Sequence, residues 1–485
     1  MLFIGFVLLM ALVLRCWNIN QSFWWDEIWS TMAYVKSNSL WDVVSSLGYY
    51  FNNHIFYSLL ARGSIKILGE SEFAARLPAL IMGLLAIIML FYFGRRFLNE
   101  PAGIVASFLL ALSAFHIDHS SEARGYSGLA LFAILSSWYF LEVIKTNKIK
   151  SWVCYVLFSV LGFYSHVFML AVSSVQFFSA VVFIFGEKLS FWKIDRHPHA
   201  FRNFLIALGC TGAIATLIYS PVLSTFFTNM GKVRLVQVDR MPFILSLLNS
   251  FFPGVQSFLG GGVYTLLFFI GIYRAFKNDH SLCIYIVVLS VLPLSLYLLM
   301  NPMFVFERYF VFALPFVLLI VGQGIVGLAD NFKGAYKNGV VIIFLFLLVY
   351  LQYPALATML NQDRQNYREA VRYVENERGD RKSNLIFTIG YAGDHFRYYA
   401  RNMTIHTPET LAELSALTEG KEHIWCLVTA WLPDIRPRYE ERDLYAERSG
   451  QTEIYDYVKN NFKPIRRFPS RYPVEVYLLE TQKKR

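Results

Sequence analysis

Cysteine is scarce in this chain, five in 485 residues, and Cys16, Cys154, Cys210, Cys283 and Cys426 contain no CxxC spacing. That excludes a disulfide framework and a cysteine-based metal ribbon, and it makes thiol chemistry a poor mechanism. Charge is scarce too: Asp, Glu, Lys and Arg make up 16% of the residues, against roughly 25% in soluble domains. The polar C-terminal stretch has no glycine-rich loop of the kind that cradles a nucleotide. What fills the chain is apolar, 56% hydrophobic and 17% aromatic residues, more than one soluble core can bury.

The apolar residues fall in runs near the length of a membrane-crossing helix, about eleven by that ruler. They lie near 1–17, 76–94, 102–116, 126–144, 152–165, 167–185, 204–223, 260–274, 281–300, 309–328 and 338–353. The expectation is an α-helical polytopic membrane protein. A transmembrane domain, 1–353, with a long first outer loop, 18–75, precedes a small extracytoplasmic α/β domain, 354–485. The tail reads as a helix in "NYREAVRYVENE", a strand in "NLIFTIG", a helix from Asp394 to Tyr399, and strands in "HIWCLVTAW" and "EVYLLE". In the first outer loop, amphipathic stretches near Ile28–Val35, Leu40–Leu47 and Ile55–Leu68 read as helices lying on the membrane.

Alternate loops collect basic residues: Arg95 and Arg96, then Lys145, Lys148 and Lys150, then Lys188, Lys193, Arg196 and Arg202, then Arg274 and Lys277, then Lys333 and Lys337. The positive-inside rule then puts the N-terminus in the cytoplasm and the tail outside. The first run lacks a basic leader and a small-residue cleavage site, so it reads as an uncleaved anchor. Arg15 near its outer end is a mild argument against this topology, although a long side chain can snorkel to the interface. The net charge of +10 sits largely in the inner loops, which points to anionic lipid rather than nucleic acid.

Chemistry concentrates in "NQSFWWDEIWS", where Asp26 and Glu27 stand among Trp24, Trp25 and Trp29 directly after the first apolar run. Carboxylates at a membrane edge carry a desolvation cost, and they persist where they pair or react. Asp26 could also simply cap a helix starting near Glu27. A second cluster, "FHIDHSSEARGYS", holds His116, Asp118, His119, Glu122, Arg124 and Tyr126. Its imidazoles and carboxylates suit a divalent metal, although a solvated polar loop has the same composition. Glu122 can position an acceptor, bind a cation together with Asp26, or hold Arg124 in an ion pair. His54 and His166 flank apolar helices as metal or phosphate ligands or as hydrogen-bonded packing residues. Arg308 and Tyr309 enter a later span beside Glu307, so Arg308 either meets a phosphate or pairs with that glutamate. Lys232, Arg234 and Arg240 lie in an outer segment, 224–259, against the inside bias; phosphate binding and a solvated loop are the two readings.

Several motifs in order resemble the GT-C membrane glycosyltransferases of the protein mannosyltransferase and aminoarabinose transferase type. They are "WWDE", "NNH" before an aromatic pair, "GESEFAARLP", "SSEARGYS" and "YSH", and they cover roughly the first 170 residues. The resemblance implies inverting transfer of a sugar from a polyprenyl-phosphate-linked donor to a glycan, lipid or protein acceptor on the outer face, in a bacterial inner membrane. It places Asp26 at the catalytic centre, with Glu122 as the second acidic group. Glu27, His54, Arg124, Tyr126, His166, Arg308 and Tyr309 become substrate-binding candidates. No particular cofactor is implied, and a divalent cation on Asp26, Glu122 and His54 is the one metal site envisaged. Where such proteins carry a proline-rich "HPPLYY", this chain has His54, Ile55, Phe56 and Tyr57, which leaves the histidine and changes the local backbone. The rivals are a transporter or flippase and a noncatalytic scaffold. Transporters place ionisable groups at mid-membrane in inverted repeats, whereas here the carboxylates gather at one edge and no repeat is visible.

Overall fold

A computed structural model of the chain describes residues 2–46, 52–188, 197–232, 240–300, 306–378, 384–389, 393–400, 403–421, 423–429, 449–470 and 473–480. Helices occupy all eleven stretches expected to be apolar spans, because an uninterrupted apolar run can satisfy its backbone in lipid only by closing its own hydrogen bonds. The first is α1 (Leu2–Cys16). The stretch expected as the outer loop carries α2 (Trp25–Ser30), a π-helical turn Thr31–Val35, α3 (Leu40–Ser45) and α4 (Ile55–Leu68). There follow α5 (Glu72–Phe97), α6 (Glu100–Leu112), α7 (Ala114–Ser120), α8 (Tyr126–Thr146), α9 (Ile149–Ser165) and α10 (Met169–Lys188). After them come α11 (Ala200–Tyr219), α12 (Leu223–Lys232), α13 (Arg240–Phe251), α14 (Phe258–Asn278), α15 (His280–Met300), α16 (Leu314–Ala329) and α17 (Ala335–Asn361). By length and composition, five helices among the described residues can cross a membrane alone, and the bent pair α6 and α7 makes a sixth. Shorter apolar helices accompany them.

Local signals set the helix starts. Ser39, Ser71, Asn99, Ser113 and Ser257 each accept a hydrogen bond from a first-turn amide of α3, α5, α6, α7 and α14. Small residues set how closely the helices pack. A Cβ on Gly271 of α14 would lie 2.0 Å from the Ile320 carbonyl oxygen, and one on Gly324 of α16 would lie 2.0 Å from that of Leu267. Each glycine therefore admits the other helix's backbone, as in tight membrane packing. Inside the bundle, Tyr155 donates to Gln176 at 2.9 Å, Gln176 donates to Ser136 at 3.2 Å, and Ser137 bonds Tyr285. These side-chain bonds link α8, α9, α10 and α15 inside the bundle.

The chain divides into two compact units, one on residues 1–19, 37–235 and 239–359, the other on residues 20–36 with 360–485. The first holds the apolar bundle. The second contains α18 (Tyr367–Arg378), β1 (Asn384–Thr388), α19 (Gly393–Tyr399), α20 (Leu411–Thr418), β2 (His423–Thr429), α21 (Ser449–Asn461), β3 (Arg466–Phe468) and β4 (Val474–Glu480). Its sheet runs β1-β2-β4-β3, with β1 and β2 parallel and the other pairs antiparallel. Phe387 stands opposite Cys426, and Cys426 opposite Tyr477. These three pack with Ile454 and Val458 of α21 into one buried face. The α/β reading of the tail holds, with α20, α21 and β3 added to it. The segment 20–36, read from sequence as part of the bundle's outer loop, packs instead within this second unit.

Arg15 corrects the expectation of a snorkelling side chain. It is 1% exposed, and it is tied to the break between α6 and α7, which bend by 66°. Its Nη1 donates to the carbonyls of Ala11 at 3.1 Å and Ala111 at 3.0 Å, its Nε to Ser120 Oγ at 2.9 Å, and its Nη2 to His116 Nδ1 at 2.7 Å. The bend leaves carbonyls at the end of α6 without amide partners, and the guanidinium supplies donors that lipid lacks. Replacing Arg15 with Met should therefore lower stability by at least about 2 kcal/mol through unsatisfied buried acceptors. Thermal denaturation of detergent-solubilised Arg15→Met should show a melting temperature several degrees below wild type; an unchanged one would refute the capping role.

Candidate active site

The break at Ser113 turns α7 off the line of α6, and the segment 121–125 then leads into α8. This geometry buries the cluster that composition alone could have left in solvent. His116 is 0%, His119 7%, Glu122 0% and Arg124 2% exposed. The solvated-loop reading of this segment is thereby overturned. The cluster also divides. His116 faces Arg15, whereas the His119 Nδ1–H donates to Glu122 Oε2 at 3.0 Å. Asp118 is half-buried on the same short helix.

Arg124 donates through Nη1 to the Asn52 backbone oxygen at 2.8 Å and through Nη2 to the Asn52 side-chain oxygen. Gly125 must be glycine for a steric reason, since a Cβ there would lie 2.6 Å from His54 Nδ1 and 2.7 Å from the Ser165 carbonyl oxygen. That close approach lets the Gly125 amide donate to His54 Nδ1 at 3.2 Å. Four rings then gather within the transmembrane unit. His54 lies 4.8 Å from both Tyr126 and His166, and Tyr309 lies 5.1 Å from His166 and 6.2 Å from Tyr126, between ring centroids. The Arg124 guanidinium sits 5.8 Å, and that of Arg308 5.7 Å, from the Tyr126 ring centroid. Arg308 also lies 4.4 Å over Phe306, a spacing at which the π-face attracts a cation.

Electrostatics keeps the two imidazoles neutral. Burial pushes the His166 pKa down to about 3, and the charges of Arg124 and Arg308 add to the effect. Burial likewise holds His54 well below the ordinary imidazole value, reinforced by Arg124, His166 and Arg308 and opposed by a hydrogen bond with the Ser165 backbone. The Phe168 amide donates to His166 Nδ1 at 3.0 Å, so the proton of neutral His166 is on Nε2. Beside the two histidines, a pocket of about 190 Å³ is lined by polar Asn53, His54, Ser165, His166 and Thr216 and by apolar groups that include Phe163, Val222 and Phe226. Such a pocket suits an amphiphile with a polar head and a hydrocarbon tail.

Of the residues singled out from sequence, the transmembrane unit brings together His54, Arg124, Tyr126, His166, Arg308 and Tyr309, with Glu122 held by His119. Asp26 and Glu27 belong to the second unit. There Glu27 is buried at the third position of α2, its carboxylate accepting from the Trp24 amide at 3.1 Å. The reciprocal bond at the start of α2 is thus made by Glu27, and Asp26 sits half-buried one residue earlier. Arg240 is exposed in the first turn of α13. Arg234 and the side chain of Lys232 lie outside the described residues. Asn52, Gly125 and Ser165 stand inside the motifs "NNH", "SSEARGYS" and "YSH", yet the sequence alone does not single them out as site residues. Their part in the site needs known neighbours to be interpreted. Three His, Cys, Asp or Glu side chains do not gather at metal-binding distance anywhere among the described residues, and the donor set in the transmembrane unit is the pair His119 and Glu122. That set has fewer protein ligands than a typical zinc site.

The neutral histidines have a pH consequence. Below the ordinary imidazole value, near 6.5, the unfolded chain takes up a proton that folded His166 refuses until about 3. The unfolded state binds more protons in that window, so stability rises with pH across it and is lost on acidification. At one unit below the ordinary value the cost is roughly 1.4 kcal/mol for this residue. Melting temperatures measured between pH 7 and pH 5 should fall less steeply for His166→Gln than for wild type, and equal slopes would refute a neutral buried His166.

Residues 53–224 match the family described as dolichyl-phosphate-mannose-protein mannosyltransferase. A search of curated protein sequences gives no match. Among solved structures, ArnT from Cupriavidus metallidurans bound to undecaprenyl phosphate superposes with a TM-score of 0.56 at 11% identity, covering 98% of this chain and 97% of that one. The Archaeoglobus fulgidus oligosaccharyltransferase in complex with Zn and sulfate gives a TM-score of 0.52 at 13% identity, covering 87% of this chain and 67% of that one. The same archaeal enzyme, AglB, in complex with an inhibitory peptide and a dolichol-phosphate gives 0.52 at 12% identity, covering 87% and 69%. The match to ArnT runs over both the helical bundle and the small C-terminal sheet. By fold and by the matched segment, the chain resembles the GT-C membrane glycosyltransferases of the mannosyltransferase and ArnT kind.

Proposed function

We propose that this chain is an inverting glycosyltransferase that moves a sugar from a polyprenyl-phosphate-linked donor to a glycan, lipid or protein acceptor. The observation that carries the reading is the gathering of Arg124 and Arg308 around the Tyr126 ring, beside two uncharged histidines and a pocket of mixed polar and apolar lining. Two guanidinium groups drawn to one partly dry spot repel each other, and an anion such as a phosphate relieves that repulsion. The likeness to ArnT with bound undecaprenyl phosphate supports the same class of donor.

In this reading the acceptor hydroxyl oxygen attacks the anomeric carbon from the face opposite the phosphate, and its proton passes to the Asp26 carboxylate. The bond from the anomeric carbon to the phosphate oxygen breaks, and the electron pair leaves with the polyprenyl phosphate. Arg308 and Arg124 offset the charge that develops on that oxygen, and Tyr309, Tyr126, His54 and His166 frame the headgroup. Glu122, fixed by His119, orients the acceptor. Glu27 serves by forming the first turn of α2, on which Asp26 stands. The bundle forms the transmembrane domain, with the N-terminus cytoplasmic and the C-terminal domain on the outer face, in a bacterial inner membrane.

The test is release of free polyprenyl phosphate from a panel of polyprenyl-phosphate sugars by purified protein, with candidate acceptors and divalent cations supplied. Wild type should release it from one donor. Asp26→Asn should lose about 10²- to 10⁴-fold, as expected for a general base, and Arg308→Ala about 10²- to 10³-fold, as for removal of one stabilising donor. Absence of release with every donor would reject the reading in favour of lipid transport or a scaffold.

A further inference from the structure

The short strip before Asp26 is built into the C-terminal unit in a manner that assigns that unit a task. Helix α2 and the π-helical turn that continues it, Trp25–Val35, are together too short to hold their shape unaided, since an isolated helix needs about 12–15 residues to be even marginal in water. The strip leading into it, residues 20–25, makes no regular ladder of its own. Its backbone groups are satisfied by side chains from α18, α19 and the segment just before α18. Arg368 Nη2 donates to the Asn20 carbonyl at 3.0 Å, the Phe23 amide donates to Tyr399 Oη at 2.8 Å, and the Trp25 amide donates to Gln365 Oε1 at 2.7 Å. The Trp25 carbonyl, one peptide before Asp26, accepts from His395 Nε2 at 3.1 Å. The indole and imidazole stack at 3.9 Å between centroids, 22° from parallel. His395 is itself wedged against Tyr367, at 5.5 Å, and is 1% exposed.

Both polar groups of the residue preceding Asp26 are therefore gripped by the second unit, and one of the two grips is also a ring stack. We infer that His395 is a positioning residue: with Gln365 it fixes the Trp25 peptide, and hence the direction in which the Asp26 carboxylate leaves the backbone. The inference rests on the proposed role of Asp26 as the base. It assigns to the C-terminal α/β unit the support of the strip that carries Asp26. A side chain held by a support of this kind loses rate steeply on displacement by an ångström.

The experiment uses full-length protein and three substitutions. His395→Ala removes the stack and the hydrogen bond, His395→Phe keeps the stack alone, and His395→Gln restores an amide donor near the Nε2 position. With the donor found active above, His395→Ala should lower kcat about tenfold or more while changing the donor KM by less than about twofold. His395→Gln should recover most of that loss. In an Asp26→Asn background, His395→Ala should add no further loss, since both act on one group. Independently of activity, amide hydrogen exchange in residues 23–30 should accelerate about tenfold in His395→Ala, as for the loss of one buried hydrogen bond. Unchanged exchange, or an inactive Asp26→Asn beside a His395→Ala with normal kcat, overturns the inference. A loss in His395→Ala that spreads equally to KM and melting temperature, with no rescue by Gln, also overturns it in favour of a structural residue. An active Asp26→Asn instead removes the base assignment on which the inference rests, while the exchange result still reports whether His395 holds the strip.

Discussion

A helix that breaks inside an apolar bundle leaves carbonyl oxygens that hydrocarbon cannot satisfy, and the candidate site depends on how this chain resolves that problem. Arg15 reaches from α1 to the end of α6 and donates to Ala111, while its other nitrogens hold Ser120 and His116 of α7. With the break satisfied, α7 can bend away by 66°. Continued straight, α7 would carry on along the line of α6, and Arg124 and Gly125 would not reach His54. One buried arginine thus connects the requirement that membrane backbones be hydrogen-bonded to the geometry of a polar pocket.

The pocket is made polar without becoming densely charged. Arg124 and Arg308 lie over the face of Tyr126, where the ring quadrupole offsets part of the cost of burying cations. The same two charges suppress protonation of the neighbouring imidazoles. His54 and His166 therefore contribute hydrogen bonds and shape but no further positive charge. In a setting of low dielectric, interactions with such charges are stronger than they would be in water. The adjoining pocket is lined by both histidines and by apolar Phe163, Val222 and Phe226.

The second unit illustrates a different constraint. Its sheet is small, and its buried face is closed by α21 through Ile454 and Val458. Residues 20–25 take their hydrogen-bond partners from side chains more than 300 positions later, Gln365, Arg368, His395 and Tyr399 among them. A segment that looks like a loop of the transmembrane bundle is thereby ordered by a domain at the other end of the chain.

The residues themselves made the helices legible, because apolar runs of bilayer length admit few other structures and because Ser39, Ser71, Asn99, Ser113 and Ser257 mark helix starts through local hydrogen bonds. The strands "NLIFT" and "HIWCLVT" were legible for the same local reason, while α20, α21 and the three-residue β3 carry weaker signals that only packing makes decisive. Candidate site residues could be named from their chemistry, since a buried carboxylate, arginine or histidine is costly wherever it falls. Their neighbours could not. Gly125 is required by a clash with His54 and Ser165, Arg15 turns inward instead of outward, and His116 and His119 face different partners although three residues apart. Sequence by itself determined the membrane class, the helical stretches and the polar residues available for chemistry, all of which follow from local hydropathy and hydrogen-bonding potential. Tertiary structure alone decided which of those residues meet, and where residues 20–36 belong, because contacts between distant segments depend on close packing of whole elements and leave no periodic trace along the chain.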